Sequence, residues 1–292
     1  MMPLPLLSLF RFKVPRRRGG LLAAALLSVA GMVPASWAQT PGADAAAAVD
    51  KRLAGKPVAL TSVILWGWGD FVGGKVAWNK NLWAVDWNPY FTCFSPWNSN
   101  EELYQGGTLV TPRHLLFAEH FSGASGSNTL HAGDTIKFVG KTDILYDRKL
   151  KATPRRVGSS DLCLGTLDRD LPPDVIPAQL LPPGLPPNFL PPGTPVLITN
   201  KDKQLHVAEV ASFGAQAIMP ARNPARIPWT RPSPAVVGDS GSPVFVILHD
   251  RPVLWWLFHT PNSGESISAN LSVIGKMLDP GYKLDVATVK GL

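Results

Sequence analysis

The sequence predicts an all-β protein built as two β-rich units on either side of a proline-rich strap, with one short helix near the C-terminus. Three observations predict this. Short runs of β-branched, aromatic and aliphatic residues recur from about residue 58 onward, separated by Gly, Asn and Pro, the pattern of strands in a barrel or sandwich. No amphipathic helix of convincing length interrupts them before about Asn270. Residues 171–195, LPPDVIPAQLLPPGLPPNFLPPGTP, hold ten prolines in 25 residues. Proline gives a sheet no ladder donor, so this stretch reads as an extended connector packed over the surface.

The first 38 residues stand apart. RFKVPRRR (11–18) is basic, LLAAALLSVAGMV (21–33) is an apolar run of 13 residues, and small residues follow at Ser36 and Ala38. This order reads as a secretory signal peptide cut after Ala38, with twin-arginine export a weaker variant. Thirteen apolar residues are too few to span a bilayer as a helix. Removal of the leader also changes the charge. The whole chain has 28 basic and 21 acidic residues, or +7, and the leader holds Arg11, Lys13, Arg16, Arg17 and Arg18 with no acid, which leaves +2 for the rest. A nucleic-acid partner is therefore not indicated. The basic stretch RKLKATPRR (148–156) reads as a solvated strand and turn.

Residues 39–57 are small, polar and aperiodic, and read as a flexible mature N-terminus. The first β-unit, residues 58–170, contains LTSVILWGW (60–68), GTLVTP (107–112), HLLFAEH (114–120), TIKFVG (135–140) and DILYD (143–147). Six tryptophans, Trp66, Trp68, Trp78, Trp83, Trp87 and Trp97, crowd its start; indoles so placed fill cores and cover barrel ends. After the strap, residues 196–292 form the second unit, with strands at PVLITN (195–200), LHVAEVASFG (205–214), SPVFVIL (242–248) and PVLWWLFHT (252–260), then a helix over about Asn270–Leu278. The cysteines are Cys93 and Cys163; whether they pair depends on their Cα separation, which sequence does not give.

Chemistry concentrates in three places. VVGDSGSPVF (236–245) sets Ser240 between glycines. A serine hydroxyl needs a base, and the base an orienting group. His120 ends GGTLVTPRHLLFAEH, at a strand-to-loop junction suited to a cleft, and Asp161 opens the apolar run DLCLGTL. The order His120, Asp161, Ser240, with gaps of 41 and 79 residues, resembles the chymotrypsin-like (trypsin-like) serine peptidases in its histidine, aspartate and serine segments, over about residues 60–280. The resemblance implies two six-stranded antiparallel β-barrels with the site in the cleft between them.

It also implies roles. Ser240 would be the nucleophile, His120 the general base and acid, and Asp161 the orienting carboxylate. The Gly238 and Ser240 amides would form the oxyanion hole, and Asp239 would order that loop. Asp168 and Asp170 read as solvated turn residues. Glu119 departs from the pattern, which usually has a small residue before the histidine, and Phe121 replaces a common cysteine. The chain lacks an IVGG-like start, which points to an exported bacterial branch. Pro234, six residues before Ser240, would form the base of the specificity pocket and gives no support for Lys or Arg preference. His259 would be either a pocket residue that binds an acidic side chain or a histidine of the strand's core or cleft edge. Thr260 would line the pocket or hydrogen-bond Asp161. The expected function is a secreted or periplasmic serine endopeptidase acting on protein or peptide substrates, without cofactor, metal or membrane anchor. A catalytically silent binding module and an esterase on the same triad are the alternatives.

Overall fold

The computed structural model describes residues 40–58, 62–66, 76–95, 107–121, 130–236 and 238–289. The expected signal peptide, Trp68, Trp97 and the Phe121 side chain lie outside what is described. From Gln39 onward the chain is one compact unit. Among the described residues no helix is long and apolar enough to cross a membrane.

Residues 41–53 form a helix within the 39–57 segment that was expected to be flexible. Helix α1 (Pro41–Leu53) starts at Thr40, whose side chain accepts from the Ala43 amide, with proline in its first turn and Lys51 and Arg52 in its last. Its buried stripe is Gly42, Ala45, Val49 and Leu53. A Cβ on Gly42 would lie 2.7 Å from Thr194 Oγ1 and 2.9 Å from Pro191 Cδ, so only glycine allows the helix this close to the end of the strap. Two arginines fix it further. Arg226, nearly buried, pairs with Asp50 at 2.7 Å and Glu209 at 3.2 Å. Arg52 pairs with Asp86 and Asp250 and lies 3.7 Å over the Trp87 ring.

The N-terminal half is built of short strands. β1 (Leu65–Trp66) pairs with β2 (Ala77–Trp78), and a short helix α2 (Asn88–Phe91) follows. β3 (Phe94–Ser95), β4 (Gly107–Leu109) and β5 (His114–Ala118) come next, then the hairpin β6 (Thr135–Val139) and β7 (Leu145–Lys149). β8 (Arg155–Arg156) and β9 (Leu162–Thr166) complete a five-stranded sheet of order β3-β4-β5-β9-β8. Strand β5 is buried along its whole length, as a central strand with both faces covered must be. Trp78, Trp83 and Trp87 are core residues, whereas Trp66 is 41% exposed. The basic stretch falls on β7, its following turn and β8, with both β8 arginines exposed.

Six strands of the C-terminal half close into an antiparallel barrel. They are β10 (Pro195–Thr199), β11 (Leu205–Ser212), β12 (Ala217–Pro220), β13 (Pro243–Leu248), β14 (Arg251–Thr260) and β15 (Ser263–Ser266), in the order β10-β11-β12-β15-β14-β13. Helix α3 (Ile267–Met277) leaves β15 directly, capped by the Ser266 side chain. It starts three residues before the expected position.

The strap is bonded to both halves rather than laid loosely over them. Ala178 donates to Leu109 O of the first sheet, while Leu181 and Leu254 exchange backbone bonds with the strap and β14. Its aliphatic residues Leu171, Val175, Ala178 and Leu180 are buried in a hydrophobic cluster shared with Leu116, Phe117, Leu205 and Phe245. Cys93 and Cys163 are buried thiols that form no disulfide, and burial raises the pKa of the Cys93 thiol.

Candidate active site

The pairing of β5 with β9 brings the first two predicted residues together. Ala118 lies opposite Leu162, and one step further the Glu119 amide donates to Asp161 O at 3.0 Å. Antiparallel register therefore sets His120, on the 3-10 turn after β5, beside the Asp161 carboxylate. The His120 amide donates to Asp161 Oδ1 at 3.0 Å and His120 Nδ1 lies 2.9 Å from Oδ2. A carboxylate only accepts, so Nδ1 carries the proton and Nε2 is left as the basic nitrogen. It is His120, not Glu119, that occupies the carboxylate.

Asp161 is nearly buried, with a side chain 10% exposed. Burial would raise its pKa, but hydrogen bonds from His120 and the charges of His120 and His259 outweigh that, and the carboxyl stays below its usual range.

A second imidazole shares the same oxygen. His259 Nδ1 lies 2.5 Å from Asp161 Oδ2, and the two imidazole rings stand edge to face with centroids 6.0 Å apart. The reason is a β-bulge. In the β14–β15 ladder Phe258 faces Gly264 and Thr260 faces Ser263, so His259 is an extra residue that turns its ring out of the alternation. Thr260 does not reach Asp161; its hydroxyl bonds Ser263 Oγ at 2.7 Å. His259 thus takes the position on the carboxylate that was expected of Thr260.

Ser240 lies on the turn that leads into β13. Gly238 and Gly241 have φ of +94° and +77°, left-handed values that favour glycine. The turn's amides divide into two groups. Asp239 donates to Val236 O, Gly241 to Phe258 O and Ser242 to Asp239 O, at 3.0, 2.8 and 3.0 Å. Among the described residues neither the Gly238 nor the Ser240 amide donates a hydrogen bond. The Gly241–Phe258 bond anchors the Ser240 turn to the residue before His259. Ser240 is half-buried, and among the described residues its hydroxyl makes no hydrogen bond.

Asp239 holds the turn from below. It is fully buried, and accepts from the Lys201 amide at 2.9 Å, the Val236 amide at 2.9 Å and Arg231 Nη1 at 2.8 Å. Arg231 was not singled out in the sequence; its only signal there is a lone cation eight residues before an aspartate. His206 was missed as well. Burial, then the Arg231 charge, drives its pKa down to about 4, so it is neutral at pH 7. Pro234 is buried beside the turn, and Ala235 next to it donates to Pro261 O at 3.1 Å.

The arrangement contains a carboxylate-oriented imidazole, a serine on a glycine-flanked turn and two amides that donate no hydrogen bond among the described residues, which are among the parts that nucleophilic acyl transfer uses. Compared with known proteins, the chain matches no family model and no curated protein.

Proposed function

We propose that the chain is a serine endopeptidase that cuts protein or peptide substrates through an acyl-enzyme. The observation that carries this reading is the contact of His120 Nδ1 with Asp161 Oδ2 at 2.9 Å, set by the β5–β9 register. In the neutral ring this contact keeps the proton on Nδ1 and makes Nε2 the basic nitrogen, at the end of the strand where a base is needed.

In the proposed cycle Ser240 Oγ attacks the scissile carbonyl carbon while His120 Nε2 takes the hydroxyl proton. The carbonyl oxygen becomes an oxyanion, met by the Gly238 and Ser240 amides. His120 then gives the proton to the leaving amine as the C–N bond breaks. Water, deprotonated by the same nitrogen, releases the acid and restores Ser240. Asp161 holds the ring in one tautomer and stabilises the imidazolium. Arg231 and Asp239 keep the oxyanion turn in shape without a newly cut N-terminal amine.

The same proposal includes the chymotrypsin-like fold, with a second barrel formed by the N-terminal sheet and the β6–β7 hairpin. The Leu150–Leu167 bridge, which joins the end of β7 to the end of β9, supports that closure. Export to the periplasm or medium belongs to the proposal too, supported by the basic and apolar runs of residues 11–33. A catalytically silent binding module is the second reading. It is favoured by the Ser240 hydroxyl, which among the described residues has no hydrogen bond to His120; such bonds are often long before substrate binds.

A peptide-library digest separates the two readings. Cleavage by the wild-type chain that disappears in folded Ser240→Ala protein is the expected result. Equal profiles from both proteins would leave only the silent module.

A further inference from the structure

We propose that His120, Asp161 and His259 form a binding site for a divalent transition-metal ion of the zinc class, and that the bound ion switches the hydrolytic site off. The binding half stands on geometry alone. The switching half rests on the proposed peptidase function.

The donor set comes first. One ligand atom from each of these residues lies within 4.8 Å of the other two. Two imidazoles and a carboxylate with a fourth position open are a zinc-type ligand set. Orienting a catalytic base needs one imidazole on the carboxylate. Here a second is aimed at the same oxygen, at 2.5 Å from His259 against 2.9 Å from His120. The bulge turns His259 out of its strand onto Asp161, and among the described residues its ring makes no other hydrogen bond.

Distances and rigidity fit an ion. Metal bonds of about 2.0–2.1 Å in a tetrahedron set ligand atoms about 3.3 Å apart. The carboxylate oxygen therefore has to retreat by less than about 1 Å, and the two ring nitrogens, which lie within 4.8 Å of each other, have to close by up to about 1.5 Å to admit one. The three residues sit at fixed points: at the end of β5, at the start of β9 and on the barrel strand β14. The His120 amide holds Asp161 Oδ1 at 3.0 Å and so orients the ligating oxygen from behind. The carboxylate is buried, while the His120 and His259 side chains are 41% and 43% exposed, which leaves the ion a route from solvent.

The switch follows from proton bookkeeping on the ring. An ion bound at Nδ1 uses that nitrogen's lone pair, so the neutral imidazole keeps its one proton on Nε2. Nε2 of His120 is then a donor and cannot take the Ser240 proton. The proton that Nδ1 gives up to solvent is matched by one that Nε2 takes from solvent, no covalent bond between heavy atoms changes, and removing the ion restores the Nδ1–H form.

The test uses Co(II) as a visible probe on full-length Ser240→Ala protein, so binding is read without turnover. The expected result is saturation at one ion per chain with visible d–d absorption, displaced by Zn(II). His259→Gln and Asp161→Asn are each expected to weaken binding by at least about tenfold, while His249→Asn, at the opposite end of the β13–β14 hairpin, leaves it unchanged. Absence of binding up to millimolar Co(II), or binding that survives both ligand substitutions, overturns the site. In the wild-type chain, Zn(II) at saturation is expected to abolish peptide turnover and a chelator to restore it. Turnover that persists at saturating Zn(II) overturns the switch. A chain that binds Co(II) but never cleaves peptide refutes the peptidase reading and leaves the metal site standing.

Discussion

Asp161→Asn is the perturbation whose size the geometry best defines. Asp161 accepts three hydrogen bonds: from the His120 amide to Oδ1 at 3.0 Å, and from His120 Nδ1 and His259 Nδ1 to Oδ2 at 2.9 and 2.5 Å. Asparagine offers one oxygen and one NH2 group in the same outline. With the oxygen kept on the His120 amide, the NH2 faces both ring nitrogens. It satisfies them only if each ring moves its proton to Nε2. With the amide flipped, the rings keep their tautomers, but the NH2 group meets the His120 N–H, donor against donor. That clash leaves a nearly buried donor unpaired and costs about 1–3 kcal/mol. The first orientation therefore wins, and His120 loses its basic nitrogen. A swap of this kind lowers kcat by about 10⁴, or about 5.5 kcal/mol of transition-state stabilisation. The assay is kcat/KM on a peptide chosen from the library digest, with thermal melting as a check on folding. A folded variant that loses less than tenfold would refute the assignment of Asp161 as the group that sets the His120 tautomer.

Three further outcomes are expected. Arg231→Met leaves the fully buried Asp239 with only two amide donors. Breaking such a pair costs about 3–5 kcal/mol, less here because the Arg231 side chain is 18% exposed. A lower melting temperature and a slower acylation rate should appear together, with Arg231→Lys recovering part of both. His206 is held neutral with a pKa of about 4 against an ordinary 6.5. Between those values the unfolded chain binds more protons, so stability falls as pH falls, by about 1.4 kcal/mol per pH unit and about 3 kcal/mol across the window. Urea melts of His206→Gln protein should show a flatter dependence there, and an unchanged slope would rule His206 out as its source. Arg226→Met removes the cation shared by Asp50 and the buried Glu209; a drop of about 3–5 kcal/mol, seen as a lower urea midpoint, is expected if α1 is a fixed part of the fold.

The His120–Asp161 pair was legible because it depends on two strand ends, each marked by its own apolar run, and on a register that one ladder fixes. The glycines around Ser240 were legible because the turn demands left-handed backbone at Gly238 and Gly241. Helix α1 was not. Its buried stripe is Gly42, Ala45, Val49 and Leu53, too small in side-chain volume to stand out, and its anchor Asp50 meets Arg226 across 176 residues of sequence. Strands β12 and β15 were missed for a related reason. They are four residues each, one ends in proline and the other is SGES, and they are strands because the barrel closes through them. The place of His259 was hidden by a bulge. Alternation along PVLWWLFHT gives its side but not the extra residue that re-aims it. Arg231 became visible only once Asp239 was found buried.

The most direct test of the central claim is a fluorophosphonate probe on the intact, folded chain, followed by intact-mass measurement and peptide mapping. The account predicts one adduct per chain, carried on Ser240 Oγ, with labelling lost in His120→Ala protein that still folds. An unlabelled chain, an adduct on another serine, or labelling that ignores His120 would contradict it.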